Sequence, residues 1–369
     1  MKKDTFVIIL LAMLFLGARC GDNVEQAIEE DDAGTDTDTD ADTDTLQIVP
    51  LSSLAILLVI DNSISMAEEQ AILADATEPL ATALTSTNNV DDIRVAVITT
   101  DMGLSWGGNP YQDGDGWPGT NPCSASGDNG VFQACTDPSF VYAETSPGSP
   151  NPDFADDIAC LVNQGTSGCG FEQQLQSAAV ALARPDQGDF VRKGDLLLIL
   201  MITDESDCSM EDGPGMFATD EIQDESGISE KNIACQSNEE FLYPTSHFAA
   251  AFWAASQNAY NAVIFAAITG VPIDDDCQGT GDTLGNCLDH PDMELVTVIK
   301  ENIQGVESWY FENACTRSTV TDAQPGRRFV DLAVNYFGQM SYIFSICNSD
   351  WTPALNDLSG MIGDAIVAN

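Results

Sequence analysis

Hydrophobic residues along the chain fall into a few short unbroken runs separated by longer stretches of mixed polarity. Leu54 to Ile60 is a continuous apolar, partly β-branched run, which predicts a strand buried on both faces, as in a parallel sheet covered by helices. It stops abruptly at Asp61-Asn-Ser-Ile-Ser65. From Met66 to about Ser86 the apolar positions Ile72, Leu73, Leu80 and Leu84 recur at helical spacing. Ile93–Thr99 reads as a second strand and Asp195–Thr203 as a third, the latter again ending in acid, Asp204-Glu205. Ala262–Thr269 and Tyr342–Cys347 supply two more, with helical stretches at about 171–184, 246–258, 329–338 and 354–366. Strands alternating with helices predict an α/β fold: a doubly wound, mostly parallel sheet with helices on both faces. Ligands in such sheets bind beyond the carboxyl ends of the strands, where both acid-terminated runs point.

Two long inserts, about 102–153 and about 204–245, interrupt the alternation. The first is rich in Gly, Pro, Asn and Asp and is expected to carry a short edge strand near Phe140–Tyr142. Long loops without elements of their own are either functional or disordered, and cysteines within both inserts argue for order.

The first residues have a different pattern. Lys2 and Lys3 precede an apolar run from Phe6 to Leu16, too short to remain in a bilayer as a helix, followed by Gly17-Ala18-Arg19-Cys20. Residues 1–20 resemble a bacterial lipoprotein signal whose Cys20 would be acylated and become the mature N-terminus. Arg19 stands where that pattern has a small residue, so plain secretion with cleavage after Gly17 or Ala18 is the alternative. Residues 21–49 form an acidic linker in which GTDTDTDADTDT (34–45) has no apolar periodicity, as expected of an extended spacer. The folded domain is expected over 50–369. The localisation this implies is a bacterial outer-membrane or cell-surface lipoprotein, with secretion or a periplasmic location as alternatives.

Charge narrows the choice of partners. The chain has 59 acidic and 12 basic residues, a formal charge of −47. Only part of the excess lies in the linker, where residues 22–45 hold 11 acids and no base. Without that stretch, Asp4 and the three early bases, 47 acids still face 9 bases. Such a surface repels phosphate backbones and anionic headgroups and gathers cations, so nucleic acid is excluded and membrane contact is expected only through the N-terminal lipid.

Cys20 apart, ten cysteines remain, with no C-x-x-C and only His247 and His290 as imidazoles. An even, scattered set points to disulfides rather than zinc, hence to an oxidising compartment. Sequence does not determine the connectivity. The simplest expectation is nearest-neighbour pairing: Cys123–Cys135, Cys160–Cys169, Cys208–Cys235, Cys277–Cys287 and Cys315–Cys347.

Asp61-x-Ser63-x-Ser65 carries the candidate chemistry. Residues two apart in an extended turn face one side, so both hydroxyls can converge with the Asp61 carboxylate. Hydroxyls, carboxylates and waters suit a hard ion: Mg²⁺, or Mn²⁺ or Ca²⁺. The same residues also allow a purely structural use, with Ser65-Met-Ala-Glu68 as a capping box and Asp61 bonding turn amides.

Asp61-x-Ser63-x-Ser65 after one buried strand, with Thr203-Asp204 ending another, resembles the metal-ion-dependent adhesion site of von Willebrand factor A domains. The resemblance covers approximately 50–369. It comes closest to secreted bacterial members in VIDNSISMAEEQ, TTDMG, GCGFEQ, TDESDCS and SICNSDWTP. It implies metal ligation by Asp61, Ser63 and Ser65, with Asp204 acting through water and one position left open to a partner's carboxylate. It also implies a threonine ligand in a loop before a later helix. The matching stretch is Gly165–Glu172, where counting back from the helix reaches Cys169, so Thr166 is the expected ligand, with Ser167 and Glu172 as substitutes.

The function this implies is a surface-displayed, cation-dependent adhesion or protein-binding module whose partner is a protein offering an acidic side chain. A metal-assisted hydrolase is the alternative from another class, but G-x-S-x-G, G-x-x-x-x-G-K-[ST] and H-E-x-x-H are all absent. A metal-free structural subunit of an envelope complex is the third.

Overall fold

The computed structural model describes residues 51–368 apart from 87–89, 107–108, 111–122, 125, 137–138, 212–232, 234, 257–261, 275, 302–306 and 318–321. The signal, Cys20, the acidic linker and the tip of the second insert therefore lie outside the described residues.

Five parallel strands and one antiparallel strand make the central sheet. In chain order these are β1 (Ser53–Ile60), β2 (Asp92–Thr99), β3 (Ala143–Thr145), β4 (Asp195–Ile202), β5 (Val263–Thr269) and β8 (Ser341–Ser345). Their spatial order is β8-β5-β4-β1-β2-β3. β3 is the antiparallel edge, pairing Ala143–Thr145 with Ile93–Val95, and it falls just beyond the expected Phe140–Tyr142. The separate hairpin β6 (Thr297–Glu301) and β7 (Glu307–Phe311) has no counterpart in the sequence reading.

Alternation along the buried strands explains the layers. Leu54, Ile56, Leu58 and Ile60 face one side, under α1 (Ala67–Ser86), α2 (Phe154–Val162) and α6 (Thr352–Ala368). Ala55, Leu57 and Val59 face the other, under α3 (Gln174–Ala183), α4 (Thr245–Ala255) and α5 (Arg327–Leu332). Both faces of β1 are therefore apolar, which is why its run is unbroken. Beyond Leu332 the expected helix over 329–338 continues only as a π turn, Ala333–Phe337, closed by Gly338 at φ 52°. No helix among the described residues is long and apolar enough to cross a membrane.

Five disulfides form: Cys123–Cys169, Cys135–Cys160, Cys208–Cys235, Cys277–Cys287 and Cys315–Cys347. The expected Cys123–Cys135 and Cys160–Cys169 pairs are thus exchanged. The reason is how the first insert folds back. Leu104 N donates to Ser124 O (2.9 Å) and Asp128 N to Asp101 O (2.8 Å), which returns Cys123 to the rim where Cys169 lies. Gly103 and Gly127, both at positive φ, approach so closely there that a Cβ on Gly103 would lie 2.4 Å from Gly127 N. Cys135 instead sits against α2, which carries Cys160. Five disulfides fit an exported protein.

Candidate metal centre

β1 lies between β2 and β4, with Ile60 level with Thr99 on one side and Ile202 on the other. The next residues, Asp61, Thr100 and Thr203, therefore form a row along the carboxyl edge. The chain leaves β1 toward β2 and later returns to β4 on the opposite side, so this edge is the topological switch point where doubly wound sheets bind ligands.

One hydrogen-bonded string crosses it. Asp61 Oδ1 accepts from Ser63 N (2.8 Å) and Oδ2 from Thr203 Oγ1 (2.7 Å). The Ser63 and Ser65 hydroxyls lie 2.9 Å apart, and Ser65 Oγ donates to Asp204 Oδ1 (3.1 Å) across 139 residues of sequence. The structure thus brings Asp61, Ser63, Ser65 and Asp204 together. Asp61 does bond a turn amide, but the Ser65 hydroxyl turns to Ser63 and Asp204. Asp61 and Asp204 are 0% and 2% exposed, whereas Ser65 is exposed and its neighbour Ile64 is 59% exposed, so the cluster opens to one side.

The Gly165–Glu172 loop lies against this string through its backbone. Gly168 N donates to Asn62 O (2.8 Å), and Gln70 Nε2 donates to both Asp61 O (3.1 Å) and Gly165 O (2.5 Å). Only glycine fits at 168, where a Cβ would lie 2.1 Å from Asn62 Oδ1. Thr166 is half-buried, and no hydrogen bond joins its hydroxyl to the string among the described residues; Ser167 is exposed. Cys169 is bonded to Cys123, and its amide points at Asp101 Oδ2 (3.4 Å). Glu172 is fully buried. Its Oε2 accepts from Thr100 Oγ1, while its Oε1 finds no partner among the described residues.

The expected helix begins at Gln174, later than 171, because Glu172 to Gln174 turn toward the strand ends. Gln173 N donates to Thr100 O (3.3 Å) and Gln174 Nε2 to Thr203 Oγ1 (2.9 Å). Thr100, Thr203, Gln70 and Gln174 were not foreseen as site residues. Only Thr203 carried a signal, as the residue before Asp204 in the motif.

Electrostatics set this edge apart. Burial raises the Asp61 carboxyl, against the Thr203 and Ser63 hydrogen bonds that lower it. Burial, then the charges of Asp61 and Glu69, push Asp204 well above the usual range. Burial, then Asp61 and Glu205, do the same to Glu172. Asn62 Oδ1, Glu69 Oε2 and Gln174 Oε1 are further buried oxygens without a hydrogen-bond partner among the described residues. The rim bases are already engaged, Arg317 with Glu69 (2.9 Å) and Arg328 with Asp207 (2.9 Å). Carboxylates, hydroxyls and orphaned oxygens are the donor set of a hard cation. Among the described residues no three or more His, Cys, Asp or Glu side chains are grouped to hold a metal, so hydroxyls would supply half of the four-residue set.

Asp274 bonds His290 Nε2 (3.1 Å), and His247 stacks on Tyr243 with ring centres 4.5 Å apart.

No protein-family model matches the chain, and no curated protein does. Among solved structures, the proximal thread matrix protein 1 of the mussel byssus aligns at 10% identity with a TM-score of 0.28. That alignment covers 60% of this chain and 39% of the mussel protein, a likeness too slight to carry an argument.

Proposed function

We propose that the domain is a cation-dependent binding head of the von Willebrand factor A type. Asp61, Ser63, Ser65 and Asp204 would hold Mg²⁺, or Mn²⁺ or Ca²⁺, as a metal-ion-dependent adhesion site. A bound divalent cation supplies positive charge and an exchangeable coordination position. The residues around it orient the ligands: Thr203 fixes the Asp61 carboxylate, Gln70 clamps the backbone of Asp61 and Gly165, and the exposed Ser65–Ile64 turn leaves room for a partner's acidic side chain. The observation that carries this reading is the string from Asp61 to Asp204, which joins two strand ends beside the buried Asn62 and Glu172 oxygens that have no hydrogen-bond partner among the described residues. In the same proposal the head is displayed outside the cell, tethered through acylated Cys20 and held off the membrane by the acidic linker.

Calorimetric titration with Mg²⁺ and Mn²⁺ tests it. Binding is expected for the natural chain and lost in Asp61→Ala; no binding, or equal binding by both, refutes the site. Because the head is strongly acidic, salt screens its repulsion of an acidic partner over about 8–10 Å while the ion acts at contact. Partner capture from envelope extracts should therefore need the cation and strengthen toward moderate salt.

A further inference from the structure

We infer that Glu172, and not Thr166, supplies the group that the Gly165–Glu172 loop contributes to this centre, as an anionic arm acting through an ion-bound water. The inference rests on the cation-site reading above and concerns a residue that reading does not use.

Position is the first ground. Glu172 is tied to the strand end beside Asp61: Thr100 Oγ1 donates to its Oε2, and the next amide, Gln173 N, donates to Thr100 O (3.3 Å). On the far side of Asp61, Gln174 Nε2 donates to Thr203 Oγ1, which in turn donates to Asp61 Oδ2 (2.7 Å). Residues 172 and 174 thus grip the two neighbours of Asp61, and the chain between them spans the site.

Chemistry is the second. Glu172 is 0% exposed, and one of its two carboxylate oxygens is orphaned. Its electrostatic neighbours are Asp61, Glu205 and Asp101, all acids. A fold that needed only the Thr100 hydrogen bond could use a neutral amide there; a buried carboxyl with an unmatched oxygen among acids is a group that a cation nearby would match. Two other candidates in the loop are less suitable: Thr166 has no hydroxyl bond to the string among the described residues, and Cys169 is locked to Cys123. Because no three acids among the described residues are grouped to hold one ion, Glu172 is assigned not to direct ligation but to a coordinated water, as outer ligands of metal sites are.

The test titrates Mn²⁺ into the intact, disulfide-bonded chain and its Glu172→Gln and Thr166→Ala variants, with melting measured in chelator. Glu172→Gln is expected to weaken Mn²⁺ binding by about 10–100-fold, the usual loss for an outer-sphere partner, and Thr166→Ala by less than about threefold. In chelator, Glu172→Gln should melt no lower than the natural chain, because the amide keeps an acceptor for Thr100 Oγ1 and carries no charge. Unchanged Mn²⁺ affinity in Glu172→Gln overturns the inference while leaving the cation site standing. A clearly lower melting temperature in chelator also overturns it, marking Glu172 as a structural support. If the natural chain binds no Mn²⁺, the cation-site reading falls, and this inference with it.

Discussion

The two ends of one sheet treat buried acids in opposite ways. At the amino end, Arg94 is 0% exposed; its guanidinium reaches Asp92 (2.8 Å) and Asp195 (2.6 Å) and donates to the Phe190 carbonyl. Arg192 adds a second contact to Asp92 (3.0 Å). At the carboxyl end Asp61, Asp204 and Glu172 are just as buried, yet among the described residues no lysine or arginine is paired with any of them. In a chain with only 12 bases, the other buried acids among the described residues, Glu69, Asp195 and Asp207, are each matched by a guanidinium. Those at the switch point are left to repel one another, which is sensible if an ion from solution does the matching.

The sharpest way to break this contrast is to remove the base at the structural end. Arg94→Met takes the guanidinium from Asp195, leaves Asp92 only Arg192, and should cost about 3–5 kcal/mol of stability by urea unfolding, the usual penalty for an uncompensated buried charge. The loss should be the same in Mg²⁺ and in chelator. A loss that Mg²⁺ repairs would mean the two ends are not independent.

Loading the carboxyl end comes next in size. A free cation at about 100 times its dissociation constant should stabilise the natural chain by about 2.7 kcal/mol, through binding to the folded state alone. Asp61→Ala should abolish that gain without lowering the melting temperature in chelator by a comparable amount. An identical cation response in both proteins would erase the difference between the ends.

Protons offer a milder probe of the same edge. Burial holds the Asp61, Asp204 and Glu172 carboxyls above the ordinary carboxylate range in the folded protein. Such groups take up a proton more readily folded than unfolded. Their contribution is fully present below the ordinary carboxylate range and is lost as pH rises through the raised values. In chelator the protein should therefore melt lower at pH 8 than at pH 5. With Mn²⁺ the gain from cation should grow with pH, since ion and proton compete for the same oxygens. Parallel melting curves in both conditions would separate these acids from any cation.

How much of this contrast is legible in the sequence depends on distance along the chain. Leu54–Ile60 and Asp195–Thr203 reveal both strands and their acid ends because burial on both faces leaves an unbroken apolar run that only the exit can interrupt. Helix α2 is signalled by Phe154, Ile158 and Leu161 at helical spacing, but it is short and the Gly- and Pro-rich insert before it obscures its start. The Arg94–Asp195 pair joins residues 101 apart, and nothing local to either marks the partner. Disulfide connectivity fails for the same reason: the path of the insert, not spacing, brings Cys123 to Cys169. Glu172 is hidden more subtly, since residues that look like a helix start instead turn inward to the strand ends.

The smallest effect tests whether the carboxyl edge is held as one piece. Gln70, on the first turns of α1, is the only side chain among the described residues whose amide donates to both the Asp61 carbonyl (3.1 Å) and the Gly165 carbonyl (2.5 Å). Gln70→Leu removes both bonds and adds no charge, so stability in chelator should fall by only about 1 kcal/mol, near the net worth of a hydrogen bond. If the loop's position matters to the ion, Mn²⁺ affinity should fall severalfold as well, because Glu172 follows the loop that Gln70 anchors. The matching control at the amino end is Arg192→Gln, which loosens an exposed contact to Asp92 and should leave Mn²⁺ affinity unchanged. Equal affinity changes in the two variants would mean that the ion senses general loosening of the sheet rather than the geometry of its own edge.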